Sequence, residues 1–536
     1  MLPATSEESA MRTTSVAAPI AAALLIAAAS AWAAPPKAAI CPVDDPTMDR
    51  YEFLRSASLE VRGNVPTVAE YKTLDKSKDV PMSTLDSWLK SDAFAQQAVR
   101  VHRSLFWNSI ENVRPFGANT SLRYDKKMKL WWRSGGAFSF KQRGNRVPCL
   151  DKPVAYDKDG KIVYWDQADG TKREGWVKVK PYWNLASEVK VCAGDAQAGT
   201  VSPNGTKCDQ IGYAFDPSCG CGPNLRWCTY GTVQLTLVRS WAKAMDLQIR
   251  DIIKENRPYT DLFSEKVAYV NGPIVFFWKY QTAVANRLRF NPAPLDHAQL
   301  PYLKWSDVDK WVKVKLGPEH AGVLTSPAFL LRFQTNRARA NRYYNTFLCQ
   351  PFQPPESGIP VAAEEALKEP NLQKRPGCKY CHALLEPVAS FWGRWTEQGV
   401  GFLNPNNYPA YSKKCEQCAK TGSGCTTVCK RYYFTKALSE PEKDFLGVLN
   451  GYVFLQKVHE KHVKYGPRLM AMETFADGRL PECMAATTAA RMLGRKLKPD
   501  ERSWAKKLSV EFAQSGYSYR ALVKSILTSK VFRRVR

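Results

Sequence analysis

Across 536 residues, the 44% hydrophobic and 12% aromatic side chains exclude a disordered polar chain, and the length exceeds what one core usually serves, so roughly two to four modules are expected. The 77 Lys and Arg outweigh the 50 Asp and Glu by 27 charges. That balance suits an anionic partner or, more simply, a solvated and mutually repelling surface.

Residues 1–33 read as a secretory signal peptide: Arg12 supplies the positive region, residues 16–29 are apolar and small, and Ala31-Trp32-Ala33 is a small-x-small cleavage site. Glu7 and Glu8 have the wrong sign for a leader, which points to Met11 as the working start. A single Arg before the apolar run argues against the twin-arginine route. Ile40 is too bulky for a lipoprotein box before Cys41, so no lipid anchor is expected. Beyond the leader no run reaches the ~18 apolar residues of a bilayer span, and residues 267–278 come nearest. A periplasmic or secreted protein is expected, with no transmembrane anchor and no nucleic acid. Peripheral association with the anionic envelope remains open.

Residues 34–135 read as an N-terminal helical domain. Thr67-Val-Ala-Glu70 after Pro66 is a capping box, Leu85, Trp88 and Leu89 share a helical face, and Gly63 closes a helix that begins near Met48. Residues 136–232 lose that period. There Asp157-Lys-Asp-Gly160 separates two short strand-like runs, and Cys149, Cys192, Cys208, Cys219, Cys221 and Cys228 imply disulfides in an oxidising compartment. This is read as a β-rich, disulfide-bonded insertion, its pairing left open. The helical period returns in a central domain, residues 233–350, where Leu237, Trp241, Met245 and Ile249 make an apolar row. A second helix after Pro327 is expected to run on to Cys349, where Pro351, Pro354 and Pro355 stop it.

Residues 351–482 contain the stretch with specific chemistry. In Cys378-Lys-Tyr-Cys381-His382 two thiols three positions apart can add to the two vinyl groups of one porphyrin, and the adjoining imidazole then lies where it binds the iron axially. With 15 Cys and 6 His, chance yields this pattern roughly 0.005 times. The motif predicts one covalent haem c held by Cys378, Cys381 and His382; the bland alternatives are a disulfide pair or half a zinc site. The other Cys-x-x-Cys, Cys415 to Cys418, is followed by Ala419 and lacks an axial base. With Cys425 and Cys429 it forms either two disulfides, which the compartment favours, or a tetrahedral zinc site. One thiol is left over from the odd count, and Cys349 or Cys483 is the expected one, buried and inert.

The sixth iron position decides the function. A thioether saturates the iron and raises its potential, as an electron carrier requires, whereas an open position admits peroxide or oxygen. Met470 and Met472, 88 and 90 residues beyond His382, are the sixth-ligand candidates. His459 and His462, on an expected helix over residues 453–464, form the rival set, and His102, His297 and His320 have no local signature. The backbone near Pro387 is the expected acceptor for the second nitrogen of His382. Phe391, Trp392 and Trp395 suit either a porphyrin wall or ordinary core. Arg332, Arg337, Arg339 and Arg342 suit either haem propionates or, more simply, a solvated helix face.

Residues 483–536 close the chain with two amphipathic helices after Pro499, the C-terminal helical domain. His320-Ala-Gly-Val-Leu-Thr-Ser-Pro-Ala-Phe-Leu-Leu331, Cys349-Gln-Pro-Phe-Gln-Pro-Pro355 and the haem motif together resemble the large planctomycete- and myxobacterial-type cytochromes c of uncharacterised function. Asn256-Arg-Pro-Tyr-Thr260, Met492-Leu-Gly-Arg-Lys-Leu497 and Gly516-Tyr-Ser-Tyr-Arg520 extend the resemblance over about two thirds of the chain. It implies covalent haem and a mostly helical fold, without an established reaction. The six-Cys insertion and the second Cys cluster depart from it. The combined expectation is a mainly α, multi-module helical protein with a cytochrome c-like haem module, passing single electrons to or from a redox partner protein, with an acidic one suiting the basic charge. A haem-dependent peroxidase or oxygenase, and a secreted binding scaffold with structural haem, are the alternatives.

Overall fold

The computed structural model describes residues 47–133, 143, 147–210, 216, 218–285, 287–290, 295–352, 356, 358 and 363–534. The expected signal peptide, Cys41, Pro354 and Pro355 lie outside them. About 47% of the chain is helical and 10% strand, so the protein is mainly α.

Local capping explains the first helices. Asp49 accepts from the amides of Tyr51 and Glu52 to open Arg50–Arg62, and Gly63 closes it at φ 73°, a left-handed turn that costs glycine little. The Thr67–Glu70 capping box opens Val68–Asp75 as expected. Glu70 also accepts from Arg62 and from the Trp88 indole, tying this helix to Arg50–Arg62 and Met82–Leu89. Asp92–Phe106 completes the group.

Helix does not continue to residue 135 as the sequence suggested. Leu122–Asp125 and Leu130–Arg133 are antiparallel strands, consistent with the aromatic pair Trp131 and Trp132. Val189–Cys192 joins Leu130–Arg133 in parallel, and Trp176–Val179 forms the far edge of this four-stranded sheet. The turn at Asp157 is present, with Gly160 at φ 73° and an isolated bridge between Tyr156 and Ile162. Three disulfides bind this region: Cys149–Cys192, Cys208–Cys219 and Cys221–Cys228. A buried ion network adds to them, in which Arg143 reaches Glu174 (2.5 Å) and Asp195 (2.8 Å) and Arg133 also reaches Asp195 (2.8 Å).

The long helix Gly231–Lys254 carries the predicted apolar row into the core. The apolar run over residues 267–278 is divided at Asn271, whose side chain accepts from the Ile274 amide and donates to Ser240 Oγ and the Val308 carbonyl. A strand, Val267–Val270, precedes it and a helix, Gly272–Tyr280, follows. Among the described residues no helix is long and apolar enough to cross a membrane.

The helix expected from Pro327 to Cys349 is in fact two, Pro327–Arg332 and Asn336–Phe347. Fully buried Arg339 accounts for the break, because its guanidinium donates to the Phe333 and Leu330 carbonyls that the interruption releases, and to that of Thr396. The solvated-face reading therefore fails at Arg339.

One apolar cluster gathers Phe53, Trp88 and Phe106 from the amino end, Trp241, Phe263 and Phe347 from the middle, Trp392 beyond the Cys-x-x-Cys-His segment, and Phe512 and Phe532 from the carboxyl end. Where this core does not reach, sulfur bridges support small satellites. Cys415–Cys429 and Cys418–Cys425 pin Lys413–Thr421 to Thr427–Tyr432 around Tyr432, Tyr433 and Leu449. Those four sulfurs are consumed in bridges, so the zinc alternative falls. Cys349 and Cys483 are bonded to each other across 134 residues, which overturns the expectation that one of them is free. The remaining cysteine is Cys41, outside the described residues.

Candidate functional site

Cys378 is the N-cap of the helix Lys379–Ala389. Cys381, His382 and Glu386 follow on its first turns, and a 3.6-residue period puts Cys378, His382 and Glu386 on one face. The helix is anchored by its far end: Val388 and Ala389 enter the main core, and Trp392, fully buried in the next turn, donates its indole N–H to the Leu324 carbonyl (3.1 Å). Its amino end stays at the surface, with Cys378 and Cys381 half-buried and Lys379 and Leu384 exposed. Among the described residues these are the only two cysteines outside a disulfide.

His382 Nδ1 meets Glu386 Oε1 at 2.6 Å. A carboxylate only accepts, so Nδ1 carries the proton and Nε2 is the nitrogen left to bind a metal. The same Oε1 accepts from Arg337 Nε at 2.5 Å, from the helix Asn336–Phe347. The expected acceptor, the backbone near Pro387, is committed elsewhere. His462 Nδ1 lies 3.1 Å from the Pro387 carbonyl and 3.2 Å from Ser390 Oγ, and its ring stacks on Phe391 at 4.0 Å. The partner one turn along, Glu386, was readable from the four-residue spacing in the sequence, but the proline drew attention to its carbonyl instead.

Two adjoining cavities, of about 220 and 400 Å³, share Glu386, Arg337, Asn450, Val453 and Leu455 in their walls. The larger one lies between residues 370–373 and residues 453–455, and Gln373 donates to the Phe454 carbonyl there (3.1 Å). Two free thiols and an imidazole with Nε2 available are the donor set of a covalently attached haem; the two cavities adjoin this helix on its Glu386 side, and Cys378, Cys381 and His382 line neither of them. Arg337 is the arginine of the expected four that lines both cavities. Arg342 instead donates to the Ser104 and Leu105 carbonyls and, with Arg332, stacks over Trp107.

The candidates for the sixth position are distributed unevenly. His462 is beside the motif helix, and the His459 ring is 5.6 Å from it, its Nδ1 buried without a hydrogen-bond partner. They share the helix Lys457–Ala476, which is broken at Gly466 (φ 69°) and Pro467. Met470 and Met472 follow the break; Met470 is buried in the main core, Met472 packs against it, and neither lines the two cavities. His102 is a satisfied core residue, with Nδ1 donating to the Ala98 carbonyl (2.7 Å) and Nε2 accepting from the Tyr259 hydroxyl (2.9 Å). Burial, aided by the Arg491 charge, pushes its pKa down to about 4 against the raising effect of the Ala98 bond. His320 is buried against the edge of Trp395 and 3.4 Å from Thr325 Oγ1, while His297 is exposed in a short turn. Cys149, Glu174 and Cys192 also cluster within 4.8 Å, but the two sulfurs are bridged and are not available as thiolate ligands.

No protein-family model, curated protein or solved structure matches this chain.

Proposed function

We propose that this protein is an exported monohaem c-type cytochrome that passes single electrons between redox proteins. The observation that carries the reading is the unbridged pair Cys378 and Cys381 next to His382, in a chain whose other described cysteines are all in disulfides. Haem bound there supplies a one-electron ferric/ferrous couple. Cys378 and Cys381 fix the ring by thioether bonds, and His382 offers Nε2 because Glu386 holds its Nδ1–H. Exposed Lys374, Lys379, Lys457 and Lys464 on the motif and His462 segments, with the net charge of +27, suit an acidic redox partner. The six disulfides and the expected leader support a periplasmic or secreted location. One observation favours the second reading, a peroxidase or oxygenase: of the sulfur ligands expected at the sixth position, Met470 belongs to the main core and Met472 packs against it.

The test is expression with a haem c maturation system. Colour that stays with the protein through acid-acetone extraction, and is lost in Cys378→Ala with Cys381→Ala, supports the haem assignment; an intact mass of apoprotein alone refutes it. A reduced low-spin spectrum unchanged by carbon monoxide supports the carrier, and a carbon monoxide band supports the enzyme.

A further inference from the structure

We infer that Glu386 and Arg337 are a positioning pair that sets the donor strength of the His382 imidazole and so tunes the midpoint potential of the bound haem. This rests on the haem reading above.

Three observations carry it. His382 Nδ1 donates to Glu386 Oε1 at 2.6 Å, a charge-assisted bond to a carboxylate where a backbone carbonyl was expected. The Pro387 carbonyl instead accepts from Ser390 Oγ and lies 3.1 Å from His462 Nδ1. Arg337 Nε donates to the same Oε1 at 2.5 Å, from a helix far away in sequence. The Glu386 side chain is only 17% exposed and Arg337 is 49% exposed, so the carboxylate is held in place while its second donor faces solvent.

The direction follows from the acceptor. A carboxylate draws the Nδ1 proton more strongly than a neutral carbonyl, which increases the basicity of Nε2 and favours the ferric over the ferrous iron. Arg337 works against this. By occupying the same oxygen it removes electron density from the bond to His382, so the pair sets a value between a free carboxylate and a neutral acceptor.

The experiment uses the full-length holoprotein and two variants, the isosteric Glu386→Gln and the charge-removing Arg337→Gln. Potentiometric titration is expected to show a higher midpoint for Glu386→Gln, by the order of a tenfold change in the equilibrium, about 59 mV for a one-electron couple. Arg337→Gln is expected to show a lower midpoint. A plain charge effect would give the same signs, so a second readout is needed: the ¹⁵N shift of His382 Nδ1 in histidine-labelled ferrous protein. It is expected to move toward the imidazolate value in Arg337→Gln and toward the neutral-imidazole value in Glu386→Gln, and both midpoint shifts should persist at 1 M salt. Unchanged midpoints, shifts of the same sign in both variants, shifts abolished by salt, or an Nδ1 resonance identical in all three proteins would each overturn the inference while covalent haem stands. Loss of covalent haem in the wild type would overturn the underlying reading instead.

Discussion

Removing the Cys349–Cys483 bridge should cost more stability than any other single change in its part of the fold. The bond closes a loop of 134 residues that contains Cys378, Cys381 and His382 and both bridges of the second cysteine cluster. In the chain-entropy treatment, a loop of this length removes about 5 kcal/mol of conformational freedom from the unfolded chain at 25 °C. That is comparable to a large part of the 5–15 kcal/mol by which domains are commonly stable. Cys349 also sits at φ 54°, in the left-handed region just past the helix Asn336–Phe347, a conformation that costs a non-glycine residue about 1 kcal/mol. Two variants separate these contributions. Cys349→Ala with Cys483→Ala should lose most of the 5 kcal/mol, and Cys349→Gly with Cys483→Ala should recover about 1 kcal/mol of it. The assay is urea denaturation followed by tryptophan fluorescence and by the visible absorption band, with coincident transitions required before one free energy is quoted. A loss below about 1 kcal/mol at unchanged slope would refute the loop-entropy argument and leave the core as the sole support of this segment.

Alkylation under denaturing, non-reducing conditions should modify Cys378 and Cys381 in the apoprotein and neither of them after haem attachment; mass spectrometry of the peptide bearing both gives the count directly. Arg143→Ala should destabilise by about 3–5 kcal/mol, read by thermal melting, because it leaves the buried carboxylates of Glu174 and Asp195 with Arg133 as the remaining ion-pair cation among the described residues. Acid should unfold the protein in two identifiable stages. His102, whose folded pKa lies near 4 against 6.5 unfolded, contributes stability that is fully present above pH 6.5 and is lost as pH falls toward 4, about 3 kcal/mol in all, so His102→Gln should flatten that limb. Although burial raises the pKa of Glu70, hydrogen bonds from Arg62, the Thr67 amide and Trp88 outweigh it and hold the value at about 2, so its contribution is present above pH 4.5 and lost below it. Glu70→Gln should flatten only the lower limb, with the slope of stability against pH as the measurement.

Features encoded within a few residues were readable in advance. The capping box at Thr67 and Glu70 and the Gly63 stop are local hydrogen-bond patterns, and they stand where the spacing put them. The row in Gly231–Lys254 was equally plain, because one face of a long helix must be apolar to bury. What escaped was set by tertiary partners. Arg339 has no sequence mark that separates a buried guanidinium from an exposed one, and the helix break it supports at Phe333 was invisible for the same reason. The strands of Leu122–Arg133 depend on Val189–Cys192 about 60 residues away, a pairing that no local window contains. One of Cys349 and Cys483 was the expected odd thiol, and nothing local in sequence marks their pairing; their bridge exists because the core folds the two ends of a long segment together.

The groups around the motif helix come from separate stretches that only the core holds in register. Arg337 arrives on Asn336–Phe347, Glu386 on the motif helix, and His462 on Lys457–Ala476. The first and last of these helices are tied at depth by Tyr343, whose hydroxyl lies 2.6 Å from Thr474 Oγ1, and the motif helix is tied to the rest through Trp392 and the Leu324 carbonyl. A carboxylate that must share one oxygen between an imidazole and a guanidinium tolerates little drift, since a shift of half an ångström in either donor weakens a bond of this kind. The extent of the scaffold around so small a motif then has a physical reason. On the proposed haem reading, holding the acceptor of the His382 imidazole at a fixed distance requires the three helices to be immobile with respect to one another, and in this chain that immobility is supplied by a core drawn from residues at both ends of the described structure.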